Sequence, residues 1–211
     1  MGDTVTGVDW SWAFSAAAFA LAMSATPGPN NAMVAASGAT WGVRRTWWHI
    51  LGISIGFPVM IVAVALGAGA MLERNPEVHE ALKWIGAAYM VWLAWHIATA
   101  VPAASADGSA ASRRGRPLRF HEAALFQWIN PKAWIITAGA LATYTQADSE
   151  ALLMQVAALA VIFFLACVPS VLLWTLIGAG VAHLFRTARA IRLFNVAMAI
   201  LLVASLVPVF L

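Results

Sequence analysis

A chain of 211 residues that is 62% hydrophobic and only 10% charged cannot cover a soluble surface, since an ordinary soluble domain carries roughly 25% charge. Its net charge of +3 is scattered between apolar stretches and forms no basic stripe, which excludes a nucleic-acid partner and leaves the lipid bilayer as the expected surroundings. The single cysteine, Cys167, lies within an apolar run, so neither an intramolecular disulfide nor a thiolate metal cluster is expected.

A bilayer-spanning helix needs about 20 mostly apolar residues. Apolar runs predict helices near 11–39, 47–72, 79–99, 120–144, 150–177 and 191–210, bounded by charge clusters and turn residues. The acidic start, Met1-Gly2-Asp3, lacks the positive charge of a signal peptide, so the first segment is expected to be retained. The Ala/Ser/Gly-rich stretch 102–119 reads as a cytoplasmic linker between two three-helix halves, 1–101 and 120–211. The expected fold is therefore an all-α integral membrane protein with one transmembrane domain, 1–211, of six transmembrane helices.

Charge sets the expected orientation. The N-terminal tail, the second-to-third connection and the fourth-to-fifth connection hold seven acids and two bases (Arg74 and Lys83). The intervening segments hold nine bases, at Arg44, Arg45, Arg113, Arg114, Arg116, Arg119, Arg186, Arg189 and Arg192. Because basic residues are retained in the cytoplasm, this alternation predicts a multi-pass protein of a bacterial inner membrane with both termini outside. Seven of the eleven tryptophans, Trp10, Trp12, Trp41, Trp47, Trp48, Trp84 and Trp95, fall near predicted helix ends, where an indole suits the interface.

Two segments interrupt the helical pattern, Thr26-Pro27-Gly28-Pro29-Asn30-Asn31 in the first helix and Asn130-Pro131-Lys132 in the fourth. Thr and Asn are N-cap residues and proline suits the first helical position, so each motif reads as a helix that restarts near mid-span. Proline also removes the bond to the carbonyl four residues earlier, which is expected to free the oxygens of Met23, Ala25 and Gln127. Freed backbone at this depth must face protein or a wet cavity. Since the first and fourth helices run in opposite directions, both restarted halves place their N-termini near the midplane. That is the pattern of inverted repeats with substrate at discontinuous helices.

These N-termini favour a carboxylate, while freed carbonyls and the amides of Asn30, Asn31 and Gln127 suit an ammonium. The expected substrate is a small zwitterion, and Thr26, Pro27, Gly28, Pro29, Asn30, Asn31, Gln127, Asn130, Pro131 and Lys132 are its expected binding residues. Lys132 is the only charge deep in a predicted span, and such a residue costs at least ~2.5 kcal/mol to insert. Two readings stand equally: it binds the substrate carboxylate, or it caps broken-helix carbonyls across the bundle. Pro169, lacking a polar cap, reads as an ordinary kink.

The TPGPN motif at 26–30, GATWGVRR at 38–45, HILGISIGF at 49–57, KWIGAAYMVWLAW at 83–95 and FQWINPKAW at 126–134 together resemble the lysine exporter (LysE/RhtB) family of amino-acid translocators. The resemblance covers about the first two-thirds of the chain. It implies an exporter of amino acids, with protons as the coupling ion and an antiport mechanism, and it carries signature positions onto Pro27, Gly28, Pro29, Asn30, Asn130, Pro131 and Lys132. Many members continue the second motif with a phenylalanine-rich stretch, where this chain reads Ile135-Ile136-Thr137-Ala138-Gly139.

Gly38, Gly42, Gly52, Gly56, Gly67 and Gly86 recur at small-residue spacing and are expected to let helices pack closely. His49, His96, His121 and His183 sit near predicted cytoplasmic helix ends, where interfacial placement accounts for them; proton relay is a second role for His49 or His121. A heavy-metal exporter is the first rival function, but soft-metal ligands are limited to Cys167 and scattered methionines. An intramembrane enzyme would need a motif such as HExxH or GxSxG, which the chain lacks; no cofactor and no metal are expected. A non-transporting scaffold would leave the matched interruptions without a purpose. A homodimer is compatible with everything above.

Overall fold

The structure, a computed structural model, describes residues 8–100, 116–146, 150–185 and 187–210. Most of the predicted linker, with Arg113 and Arg114, lies outside the described residues, as do Asp3, Asp148 and Arg186. Among the described residues there are helices and no strands.

The first predicted helix is two. α1 (Trp10–Ala25) and α2 (Pro29–Trp41) are separated by Thr26, Pro27 and Gly28. A residue that precedes proline is driven out of the α region, and both Thr26 (φ −63°, ψ 143°) and Gly28 (φ 179°) are extended. The chain therefore cannot resume a helix until the second proline, Pro29, which takes the first helical position. This corrects the expectation for Thr26: it closes α1, with its hydroxyl donating to the Met23 carbonyl at 3.0 Å, and caps no helix start.

α3 (Val43–Ala63) begins four residues before the predicted boundary, after Gly42 alone. Gly42 has φ +78°, a conformation that costs glycine nothing, so the chain turns within one residue and Arg44 and Arg45 fall in the first turn of α3. A π-helical stretch (Val64–Ala68) and α4 (Gly69–Glu73) continue it. α5 (Pro76–Ala98) follows. α6 (Phe120–Phe126), a 3-10 turn (Gln127–Ile129) and α7 (Pro131–Tyr144) occupy the fourth predicted span. α8 (Leu152–Phe185) contains Pro169 within a single helix and extends eight residues past its predicted end. α9 (Ala188–Ala204) and the short α10 (Val207–Phe210) complete the fold.

Val43–Leu72 and Leu152–Leu184 are each long and apolar enough to cross a membrane; Trp10–Ala25 is apolar but shorter. Large apolar side chains stand exposed on most helices, among them Phe14, Val59, Ile85, Leu125, Ile135, Val161, Leu173 and Ile200. A soluble monomer rarely exposes so continuous an apolar surface. Inside, small residues set the closest helix contacts. α2, buried over most of its length, is pressed against α8 so closely that a Cβ on Gly178 would lie 1.9 Å from the Ala35 carbonyl oxygen, and one on Gly38 would lie 2.2 Å from that of Thr175. Gly52, Gly56 and Gly86 are packed in the expected way, whereas a Cβ at Gly42 or Gly67 would meet nothing and both have positive φ. Gly42 turns the chain and Gly67 kinks the π-helical stretch, which corrects their packing assignment.

Candidate functional site

The two interruptions meet. Asn130 is extended, and its Oδ1 accepts from the Lys132 backbone N–H at 3.1 Å, so Asn130 caps α7 and Pro131 opens it. From this first turn the Lys132 side chain crosses to the other interruption. Its Nζ donates to the Thr26 carbonyl at 2.8 Å, to Thr26 Oγ1 at 2.8 Å and to the Pro27 carbonyl at 3.2 Å. An ammonium has three N–H donors, and all three are used. Of the two readings of Lys132, this conformation displays the capping one.

The helices around this contact run in opposed directions. Where α1 ends, α7 begins; where α1 begins, α7 ends, with Trp12 Nε1 donating to the Tyr144 carbonyl at 3.2 Å and Tyr144 OH donating to the Ser15 carbonyl at 3.1 Å. α2 likewise starts where α6 stops. There Asn30 Nδ2 donates to Gln127 Oε1 at 2.9 Å and Gln127 Nε2 returns a bond to Asn30 Oδ1 at 3.2 Å. Gln127 is fully buried and also donates to the Ala123 carbonyl. The N-terminal ends of α2 and α7 thus lie side by side and point away from each other.

Carbonyls released from a helix need other partners, and the freed ones here find them. Asn31 Nδ2 donates to the Ser24 and Thr26 carbonyls, both at 2.8 Å. Met23 is served by Thr26 Oγ1, and Gln127 by the Asn130 N–H. The Ala25 carbonyl accepts from Trp174 Nε1 at 3.0 Å. Sequence reasoning missed Trp174; its signal is a tryptophan in mid-helix, away from any interface that would anchor it.

All ten predicted residues gather in this region, and Gly28, Asn30, Asn31, Asn130 and Lys132 line a common hollow with Phe57, Cys167 and Val171. The hollow measures about 40 Å³, room for water-sized occupants. Gly28 makes the close approach possible, because a Cβ there would lie 2.6 Å from Lys132 Cδ. Pro27 faces outward and contributes through its carbonyl.

Two more polar features lie outside the predicted set. Asn195 on α9 is fully buried and donates to Thr40 Oγ1 at 3.0 Å. His49, assigned from sequence to the interface, is instead 1% exposed, with Nδ1 3.4 Å from Ser37 Oγ and Nε2 without a partner. The single-residue turn at Gly42 starts α3 early and draws His49 inside. Among the described residues no three His, Cys, Asp or Glu side chains converge as a metal site would require.

Known proteins supply the remaining comparison. Residues 21–207 match the family described as LysE type translocator. The cysteine/O-acetylserine efflux protein of Escherichia coli (strain K12) is 31% identical over 192 residues, spanning 91% of this chain and 94% of that protein. The protein of the same name from Salmonella typhimurium (strain LT2) is 31% identical over 194 residues, with the same coverage. No solved structure matches the chain. On a match that takes in both interruptions and every helix from the end of α1 to the start of α10, the chain belongs to the LysE type translocator family and is a transporter, not an enzyme.

Proposed function

We propose that the chain exports small amino acids of the cysteine and O-acetylserine class from the cytoplasm across a bacterial inner membrane, with the proton motive force as the energy source. In this reading six spans form two inverted halves with both termini outside. The substrate binds near mid-bilayer, between the two interruptions.

The observation that carries the reading is Lys132 of the second half filling the carbonyls opened in the first. Those oxygens suit an ammonium, and here an internal ammonium occupies them. A zwitterionic substrate can exchange with it: the substrate ammonium takes the Thr26 and Pro27 carbonyls, and the displaced Lys132 takes the substrate carboxylate. Every charge keeps hydrogen-bond partners at both stages, which matters where desolvation is costly. The 40 Å³ hollow belongs to the closed stage and must widen for cargo.

The test is efflux of labelled cysteine and O-acetylserine from proteoliposomes. Export that follows an imposed proton gradient and ceases in Lys132→Met is the expected result. Wild-type export by Lys132→Met removes the exchange mechanism, and export unaffected by collapsing the gradient removes proton coupling.

A further inference from the structure

A second, far larger hollow lies beyond the interruptions, at the end of the bundle that carries Arg116. It measures about 540 Å³ and is walled by α2, α3, α5 and the segment leading into α6, within the range of small-molecule sites. Three features of its lining point to a ligand. His49 is 1% exposed and lines the hollow, and its Nε2 has no partner. A buried imidazole nitrogen left without a hydrogen bond is costly; Nε2 is shielded behind the wall of the hollow, so an occupant that shifts that wall can supply the bond. At the rim, Arg116 donates to Glu122 through two nitrogens, one at 2.6 Å. Tyr89 and Trp92, stacked on each other at 5.4 Å, also line the hollow.

We propose that this hollow is a loading site, where a small zwitterionic amino acid docks before it reaches the interruptions, and that His49 Nε2 reads a polar atom of its side chain. The inference rests on the export reading for its substrate class. The Arg116–Glu122 pair provides for both main-chain charges: the incoming carboxylate takes the guanidinium, the incoming ammonium takes the Glu122 carboxylate, and each protein charge exchanges one partner for another. The aromatic walls take the aliphatic part. Only the far end of the side chain then reaches the imidazole, so an amino acid lacking a polar atom there loses a contact and leaves His49 unpaired.

Occupancy can be read without transport. Ala100 lines the hollow, and the native Cys167 is buried, so an Ala100→Cys protein in lipid nanodiscs offers one accessible thiol to a maleimide. O-acetylserine is expected to slow its alkylation about fivefold at saturation, with alanine protecting less well. A Thr143→Cys control near the opposite end is expected to keep its rate. In Ala100→Cys/His49→Leu, half-protection is expected to require about tenfold more O-acetylserine, the equivalent of one hydrogen bond, while His49→Gln, which keeps a polar end, recovers part of that loss. Absence of protection at saturating O-acetylserine, or equal slowing at positions 100 and 143, overturns the loading site. An unchanged protection curve in the His49→Leu protein overturns the role of His49. Failure of the export reading shows separately, as wild-type proteoliposomes that release none of these amino acids.

Discussion

Replacing Lys132 by Met tests the link between the two interruptions directly. The ammonium makes three bonds, to the Thr26 carbonyl, Thr26 Oγ1 and the Pro27 carbonyl, and methionine keeps the length and bulk of the stem while removing all of them. A hydrogen bond to a charged group contributes about 1.5–3 kcal/mol when well buried. Thr26 and Pro27 are exposed and Lys132 is half-buried, so the combined contribution is discounted to about 1–2 kcal/mol. The variant is therefore expected in the membrane in near-normal amount, with a modestly lower denaturation midpoint in mild detergent, yet with cysteine and O-acetylserine efflux abolished. Lys132→Arg keeps the charge, but a planar guanidinium cannot occupy the compact position against Gly28, and at most partial export is expected. Wild-type efflux from Lys132→Met would refute the reasoning, because the capping contact would then be dispensable for the transport cycle.

Four further outcomes follow from named contacts. Gly28→Ala puts a methyl 2.6 Å from Lys132 Cδ; since Gly28 is extended and under no backbone strain, the lysine must move, and efflux is expected to fall as in Lys132→Met while circular dichroism stays unchanged. A double-mutant cycle with Asn30→Ala and Gln127→Ala is expected to give a coupling of about 1–2 kcal/mol in thermal or denaturant unfolding, because two reciprocal bonds are lost together. Gly178→Ala drives a methyl into the Ala35 backbone and is expected to cost about 3 kcal/mol or more, seen as loss of monodisperse protein, whereas Gly180→Ala, with nothing within 4 Å, is expected to be neutral or slightly stabilising. Arg116→Ala breaks a pair whose partners are 49% and 27% exposed, so its effect on the unfolding midpoint is expected to correspond to less than about 1 kcal/mol.

The interruptions were legible because proline acts locally: it forbids a bond and restricts its neighbour wherever it sits. Asn130, Pro131 and Lys132 accordingly form the cap that their spacing predicts. Thr26 departs from its expected role because two prolines two residues apart compete to restart the helix, and only the second can leave its predecessor extended and its successors helical. The partners of the freed carbonyls were not legible at all. Trp174 comes from α8, whose apolar run carries no register signal, and contact between α2 and α8 depends on the notch at Gly38 and Gly178. His49 departs from its expected interfacial place for a related reason. Hydropathy sets a helix boundary by where polar residues stop, whereas α3 begins where Gly42 turns, and those few residues decide whether an imidazole meets the interface or the interior.

The geometry of α2 ties the two hollows together. Asn30, Met33, Ser37 and Trp41 recur every three or four residues and so share one face of the helix. Asn30 lines the small hollow at the interruptions, and Met33, Ser37 and Trp41 line the large one. Between the hollows stand Met33, 2% exposed, and the amide pair of Asn30 with Gln127. Gln127 begins the 3-10 turn that joins α6 to α7, and short 3-10 stretches within helices often mark hinges. On the export reading, cargo leaving the large hollow along this face must part the Asn30–Gln127 pair before it reaches the Thr26 and Pro27 carbonyls. An amide pair suits such a barrier: it is satisfied when closed, and a zwitterion offers both a donor and an acceptor to replace what opening removes. A purely apolar plug would offer the cargo no exchange. Asn30→Leu is therefore expected to slow efflux while leaving protection at position 100 intact, and loss of that protection together with efflux would place the barrier elsewhere.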